Sequence, residues 1–269
     1  MIVHEFLPLF VGQELVAEVL RRGTRFYRPE DGEALIPVEF QGAAYRFGHS
    51  MVRPSYRANL AGDSGGPFFG FIFDPAQAGK PDPDDLRGGA RSPRRFIGWQ
   101  TFFDFKDGQV KRNKIIEAKI STPLFNLPRG TIPGLGGPTS LPQRNLLRHL
   151  TWQLPSGQDI ARHIGVPRLS SADLRELRVF GLHLDTSTPL WYYVLKEAGI
   201  MAKGLYLGPV GGRIVAEVII GLLQTDRASY LRADRHWMPT LPTATGSGQD
   251  FRMTDFLTFA GVDPGHRGQ

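Results

Sequence analysis

The sequence contains no cysteine among its 269 residues. Disulfide bonds, thiolate metal ligands and thiol nucleophiles are therefore excluded, together with every chemistry that depends on one of them. Long apolar runs are also absent, since the longest, such as residues 214–223, are too short to cross a bilayer. Nothing reads as a secretory signal, so we expect a cytoplasmic protein without a membrane span.

Positive charge is only modestly in excess over negative charge. Lys and Arg number 32 against 26 Asp and Glu, which gives a net charge of +6. The basic residues cluster at 91–95 and 106–114, but no nucleic-acid motif accompanies them. A basic, solvated face is therefore predicted, and no nucleic-acid partner.

The hydrophobic content of 41% allows a sizeable buried core. Most segments read as capped helices, and few alternate as strands do. We predict a mainly α fold with a single helical domain over residues 1–269. Long loops are expected near 62–95 and 128–142, where glycine, proline and polar residues replace any hydrophobic period.

The stretch from Pro37 to Tyr56 (PVEFQGAAYRFGHSMVRPSY) predicts a central helix. Four of its residues recur at spacings of four, three and four, as one buried helix face requires: Phe40, Ala44, Phe47 and Met51. Pro37 is compatible with a first helical turn, and Pro54 with the end of the helix.

His49 is the candidate ligand in this stretch. Arg46 and Arg53 lie three residues before it and four after it, within reach of the same helix side. Two neighbouring cations favour a neutral imidazole, which is the form that binds metals. Nearby small residues leave room for a flat group such as haem, although an ordinary core or surface histidine explains the spacing equally simply.

The string EFQGAAYRFGHSMVRP resembles the proximal-haem helix of the animal-type haem peroxidases, the superfamily of myeloperoxidase and cyclooxygenase, and especially its bacterial members. The family pattern of aromatic, Arg, aromatic, Gly, His and Ser or Thr matches residues 45–50. The resemblance implies a haem-peroxidase-like helical domain in which His49 binds the iron of haem b and Arg46 pairs with a propionate. Peroxide and a small reductant would be the substrates, and calcium is not expected.

A second segment, residues 143–165, continues the resemblance. Asn145 and Arg148, followed by Leu154 and Pro155, are similar to the family's Asn-x-x-Arg…Leu-Pro segment. The resemblance implies that Gln158 takes the place of an asparagine that bonds the proximal histidine, and that Arg162 is a further propionate partner. Without the resemblance, both would be solvent-facing polar residues on one helix.

The matched family segments are those of the proximal side only. Peroxide cleavage in the family also uses a distal histidine and arginine, and no Asp-His-Asp distal string with its calcium loop occurs in this sequence. We therefore assign no catalytic residue. Two interpretations stay open: a haem peroxidase, or a non-enzymatic scaffold that binds haem weakly or packs against a partner chain carrying the distal half. The second predicts an exposed apolar face.

Residues 62–67 spell GDSGGP, the sequence around the nucleophile of chymotrypsin-type serine proteases. Such an enzyme needs a histidine base and an aspartate that orients it, on a double barrel of many strands. Only His4 and His49 precede the motif, neither in a suitable context, and the flanking sequence is patterned for helices. A turn-forming loop is the better interpretation.

Overall fold

The computed structural model describes residues 1–29, 32–60, 68–77, 79–87, 95–132, 136–234, 237–243 and 251–262. Within these ranges the chain is mainly helical, which confirms the predicted fold class at that level. The haem-peroxidase-like fold and the single domain stay predictions. The GDSGGP segment, residues 91–94 of the basic run and residues 133–135 of the second predicted loop lie outside the described residues.

The N-terminal region is a broken helix. A π-helical turn at Ile2–Phe6 leads into α1 (Leu7–Val11), and α2 (Gln13–Arg22) follows. Gly12 separates the two helices at a φ of 89°, a conformation that glycine adopts without a steric penalty.

The predicted central helix is divided. It consists of α3 (Val38–Gly42), a 3₁₀ turn (Ala44–Phe47) and α4 (Gly48–Met51). The prediction of one helix from Pro37 to Tyr56 is therefore wrong. Ala43 leaves the helical region at φ −137° and ψ −70°.

The packing of Gly42 explains where the division falls. A Cβ at Gly42 would lie 2.8 Å from the Trp152 ring, so the backbone passes close to this side chain. Val52 is extended, and Ser55 already belongs to a strand. An antiparallel hairpin follows, formed by β1 (Ser55–Asn59) and β2 (Phe68–Phe71), with Ser55 opposite Phe71.

The second half of the described chain supplies six α-helices, among them the longest. These are α5 (Leu141–Thr151), α6 (Gly157–Ile164), α7 (Leu190–Met201), α8 (Pro209–Thr225), α9 (Tyr230–Ala233) and α10 (Met253–Phe259). Short 3₁₀ helices lie at Pro75–Gln77, Trp99–Thr101, Thr122–Phe125, Arg129–Thr131 and Arg175–Phe180.

The core is centred on α7 and α8. Leu190, Tyr193 and Leu195 of α7 and Val215 and Ile220 of α8 are all at most 1% exposed. Helices α1 and α2 and the segment 40–47 pack around them in the same hydrophobic cluster. Because apolar residues occur almost all round α7 and α8, these helices need partners on several sides.

Glu217 connects α8 to the N-terminal region. Its Oε2 accepts hydrogen bonds from the backbone N–H groups of residues 25, 26 and 27, at 3.0, 2.6 and 3.0 Å. Arg213, one turn earlier, binds both carboxylate oxygens of Glu18 in α2, at 3.0 and 3.2 Å. These contacts fix α2 and the loop after it against α8. None of the helices in the described ranges has the length and apolar character needed to span a bilayer.

Candidate functional site

The segment that carries His49 is anchored on its buried side. Phe40, Ala44 and Phe47 are buried, and Met51 packs against the core, as the predicted helix face required. The indole N–H of Trp191 in α7 donates to the backbone oxygen of Arg46 at 3.1 Å. The turn just before His49 is therefore held against the most buried helix of the fold.

His49 is half-buried and bonded to an asparagine from a distant part of the sequence. Its Nδ1 lies 2.8 Å from Nδ2 of Asn145 in α5. Asn145 is 1% exposed, and its Oδ1 is buried without a hydrogen-bond partner within the described residues. No hydrogen bond reaches Nε2 of His49 from the part of the chain that the structure describes. One ring nitrogen is thus fixed, and the other is available.

The amide of Asn145 can present either of its two ends to Nδ1. A rotation of 180° exchanges its nitrogen and oxygen with almost no change in shape. With the nitrogen forward, Nδ1 accepts and a neutral ring carries its proton on Nε2. With the oxygen forward, Nδ1–H donates and Nε2 keeps the lone pair that a metal ion requires.

The surroundings of His49 favour the neutral ring. Burial, together with the positive charges of Arg46 and Arg148, lowers the pKa of His49 to about 4, although the hydrogen bond with Asn145 acts to raise it. The sequence predicted two flanking cations, Arg46 and Arg53. Arg46 is one of them, whereas Arg53 lies over the ring of Tyr56, 4.3 Å from its centroid. The second cation is Arg148, from α5.

Two arginines, Arg46 and Arg148, lie near His49, and a third, Arg144, lies near Arg46. Burial lowers the pKa of Arg46, and so do the charges of Arg148 and Arg144. The Nε of Arg46 donates to the backbone oxygen of Gln41 at 2.8 Å, and Arg148 stacks over Trp152 at 4.7 Å. The Nε of Arg148 is buried and has no acceptor within the described residues. Since like charges repel, an anion placed among these guanidinium groups would be stabilised.

An apolar cleft of about 540 Å³ lies next to the His49 segment. Tyr45, Gly48 and Met51 line it from this segment. Phe6 of the N-terminal turn and Ile219 of α8 line it from the facing side. A Cβ added at Gly48 would meet nothing within 4 Å, so the space beside the residue that precedes His49 is open. His49 itself does not line this cleft, but Phe47 and Gly48, which directly precede it, do.

Gln158 does not bond His49, so this predicted hydrogen bond is wrong. Gln158 is buried in α6, where its Nε2 donates to Thr188 Oγ1 at 2.8 Å and its Oε1 accepts from the backbone N–H of Thr188 at 2.9 Å. These bonds connect α6 to the segment that leads into α7. Gln158 therefore has a structural position, and the alternative that it faces solvent is also wrong.

Arg162 lies on the exposed side of α6. Its Nη1 donates to Asp159 Oδ1 at 2.6 Å, and 61% of its side chain is accessible. Ser156 caps the same helix by accepting from the backbone N–H of Asp159 at 3.1 Å. The structure gives no contact of Arg162 with Arg46, Arg144 or Arg148, so its predicted role with a propionate stays a prediction.

The Asn-x-x-Arg motif in α5 supplies the hydrogen-bond partner and the second cation of His49, which the sequence analysis did not assign. Asn145 was recognised as part of the motif but given no contact, and Arg148 and Arg144 were given no role. The helical spacing of residues 144, 145 and 148 was a usable signal, because residues three and four apart share a helix side. Only the packing of α5 on the His49 segment, however, shows which side faces the imidazole.

The described residues give no support to the interpretation as a serine protease. His49 bonds Asn145, and Nε2 of His4 lies 2.8 Å from the hydroxyl of Tyr230. Among the residues that the structure describes, neither histidine has a hydrogen bond to the carboxylate partner that a catalytic triad needs.

Comparison of the chain with models of known protein families gave no match, and comparison with curated protein sequences gave none either. Membership of the haem peroxidase superfamily therefore stays a prediction, and any function has to be argued from the site itself.

Proposed function

We propose that this protein binds haem b through His49 and is a haem peroxidase, with peroxide and a small reductant as its substrates. The observation that carries the proposal is the hydrogen bond between the buried side chain of Asn145 and Nδ1 of His49. The imidazole of His49 is half-buried, and its pKa is about 4. A histidine that ligates a metal typically has its other ring nitrogen fixed in this way.

The state of His49 supports the iron-ligand role. The depressed pKa keeps the ring neutral well below pH 6.5, so no proton competes with a metal at neutral pH. If Asn145 turns its oxygen to Nδ1–H, Nε2 has a free lone pair. The neutral amide then orients the ring without making it as basic as a carboxylate partner would.

The surroundings of His49 fit the two chemical parts of haem. The macrocycle is apolar and suits the cleft beside Gly48, whose volume is about 540 Å³. The two propionates suit the cations Arg46, Arg144 and Arg148, of which Arg148 has a buried Nε without an acceptor among the described residues. When bound, haem supplies a redox-active iron, and the role of this chain's residues is to bind and orient it.

A haemin titration followed at the Soret band tests the ligand assignment. We expect saturable, red-shifted binding by the native chain and its loss in His49→Ala. His163→Ala is the matched control, because His163 is an exposed histidine on α6 that belongs to a different cleft. The same band in native protein and His49→Ala would contradict the proposal, and so would no band at all.

A second candidate is a peroxidase-like scaffold without turnover that binds a partner chain. Apolar side chains on and near α5 favour it: Leu150 is 71% exposed and Tyr45 57%, and Leu146 and Leu147 are also exposed. Exposed apolar residues next to a binding site are typical of an interface.

Peroxide-dependent oxidation of a phenolic reductant by the haem-loaded chain separates the two candidates. A peroxidase should exceed free haemin at equal iron concentration by orders of magnitude. Turnover no faster than that of free haemin, with the Soret band present and dependent on His49, would leave the scaffold as the function.

A further inference from the structure

A second cleft, of about 440 Å³, lies away from His49 between α6 and α8. Its walls are largely apolar and are contributed by Phe26, Ile160, Ile164, Ile214 and Val218. The volume is within the range of roughly 300–1,000 Å³ that is usual for small-molecule sites. The cleft can therefore accept the apolar body of a small ligand.

The polar groups at the cleft are almost all engaged with one another. Arg213 binds Glu18 through both terminal nitrogens, at 3.0 and 3.2 Å. Glu217 accepts three backbone N–H groups and faces Arg213 at 3.5 Å. Asp159 pairs with Arg162 at 2.6 Å. These groups neutralise one another's charge and leave few polar atoms free to bind a ligand.

Glu39 differs from them. It lines the cleft from the first turn of α3, and its carboxylate makes no hydrogen bond or ion pair within the described residues. The nearby Arg25 is stacked over Phe26, 4.9 Å from the ring centroid. Besides the imidazole of His163, which lies against the Phe26 ring at 5.8 Å between centroids, the polar group left at the cleft is thus one carboxylate beside an apolar surface.

We propose that the cleft between α6 and α8 binds amphipathic amines, with the apolar part of the ligand between Ile160 and Ile214 and its ammonium group on Glu39. An ammonium donates up to three hydrogen bonds and matches the charge of a free carboxylate. An anion with the same apolar body would meet Glu39 as a like charge, so the site discriminates by charge. The inference is independent of haem binding, because His49 does not line this cleft.

Two fluorescent probes with the same body test the proposal. One is dansylcadaverine, an apolar fluorophore with an ammonium at the end of a five-carbon chain, and the other is dansyl-6-aminohexanoate, which ends in a carboxylate. We expect saturable fluorescence enhancement with the amine and binding of the acid weaker by about tenfold or more, as one charge-assisted hydrogen bond provides. Equal affinities, or no binding of the amine, would overturn the proposal.

Substitutions locate the binding to this cleft. Glu39→Gln keeps the size of the side chain and should weaken the amine by about tenfold, without weakening the acid. Glu33→Gln removes the same charge from an exposed residue that does not line the cleft, and should leave the affinity for the amine unchanged. Ile160→Trp should fill the cleft and weaken both probes. An amine affinity that is insensitive to Glu39→Gln would contradict the proposed contact, even if binding occurs.

Discussion

Asn145 Nδ2 lies 2.8 Å from His49 Nδ1, although 96 positions separate the two residues in the sequence. The contact joins α5 to α4, and it decides which nitrogen of the imidazole is available. The state of this histidine can be tested without any cofactor, because its pKa is a property of the chain.

Changing Asn145 should move the pKa of His49 in both directions. Asn145→Leu removes the hydrogen bond that raises this pKa, so it should fall below the value of about 4. Asn145→Asp places a negative charge at Nδ1 and should raise the pKa above that value. Ring resonances of His49 followed by NMR against pH measure both shifts. Identical titrations of the two variants would show that residue 145 does not contact the imidazole.

Removing a positive charge should also raise the pKa of His49. Arg148→Gln removes one of the two cations that lower it, but burial, the largest cause, stays. We therefore expect a value above about 4 and still below the ordinary 6.5. Arg162→Gln serves as the control, since Arg162 is paired with Asp159 on an exposed surface. The same NMR titration gives the answer, and an equal shift in both variants would argue against a local effect of Arg148.

Glu197 should make the protein less stable as the pH rises from about 4.5 to about 7. Glu197 belongs to α7, and its fully buried side chain points to the start of α8. There the carboxylate accepts from Val210 N at 3.0 Å and Gly211 N at 3.3 Å. Burial raises the pKa of Glu197 from 4.5 to about 7, more than these hydrogen bonds lower it.

The sign follows from the difference between the folded and unfolded states. The folded protein holds the proton of Glu197 more tightly, so this stabilisation is complete below pH 4.5 and is lost as the pH passes about 7. The contribution is on the order of 3 kcal/mol. Urea unfolding across this range, compared between native protein and Glu197→Gln, isolates it. If both proteins change equally with pH, another group is responsible.

Two glycine substitutions should have opposite effects on stability. A Cβ at Gly157 would overlap the ring of the buried Tyr193, so Gly157→Ala should lower the free energy of unfolding by about 1–3 kcal/mol or more. Gly199 lies within α7 and has open space around it, so Gly199→Ala should raise that energy by roughly 0.5–1 kcal/mol. Chemical denaturation measures both. A neutral Gly157→Ala would mean that α6 can move away from α7.

The sequence was informative about local patterns and less so about contacts between distant segments. Spacing correctly placed Phe40, Ala44 and Phe47 in the core, because helical periodicity depends only on neighbours in the chain. The division of the central helix at Ala43 was not predictable in this way. It depends on Gly42 packing against Trp152, which comes more than a hundred residues later.

The candidate site shows the same limit. His49 and Arg46 were identified from one short segment, and they lie together. The hydrogen-bond partner was assigned to Gln158, whereas the structure places Asn145 there and uses Gln158 to hold Thr188. An offset along the chain could not separate these two amides, because the direction of each depends on how its own helix packs.

The three backbone hydrogen bonds that Glu217 accepts from residues 25–27 have a consequence for synthesis of the protein. The first two helices and the loop after them are made early, but their partner on α8 follows about 190 residues later. A ribosome that adds roughly 5–20 residues per second needs on the order of ten seconds or more to supply it. During that interval the N-terminal segment lacks the contacts that fix it in place, and this is when a chaperone would have access to its apolar side.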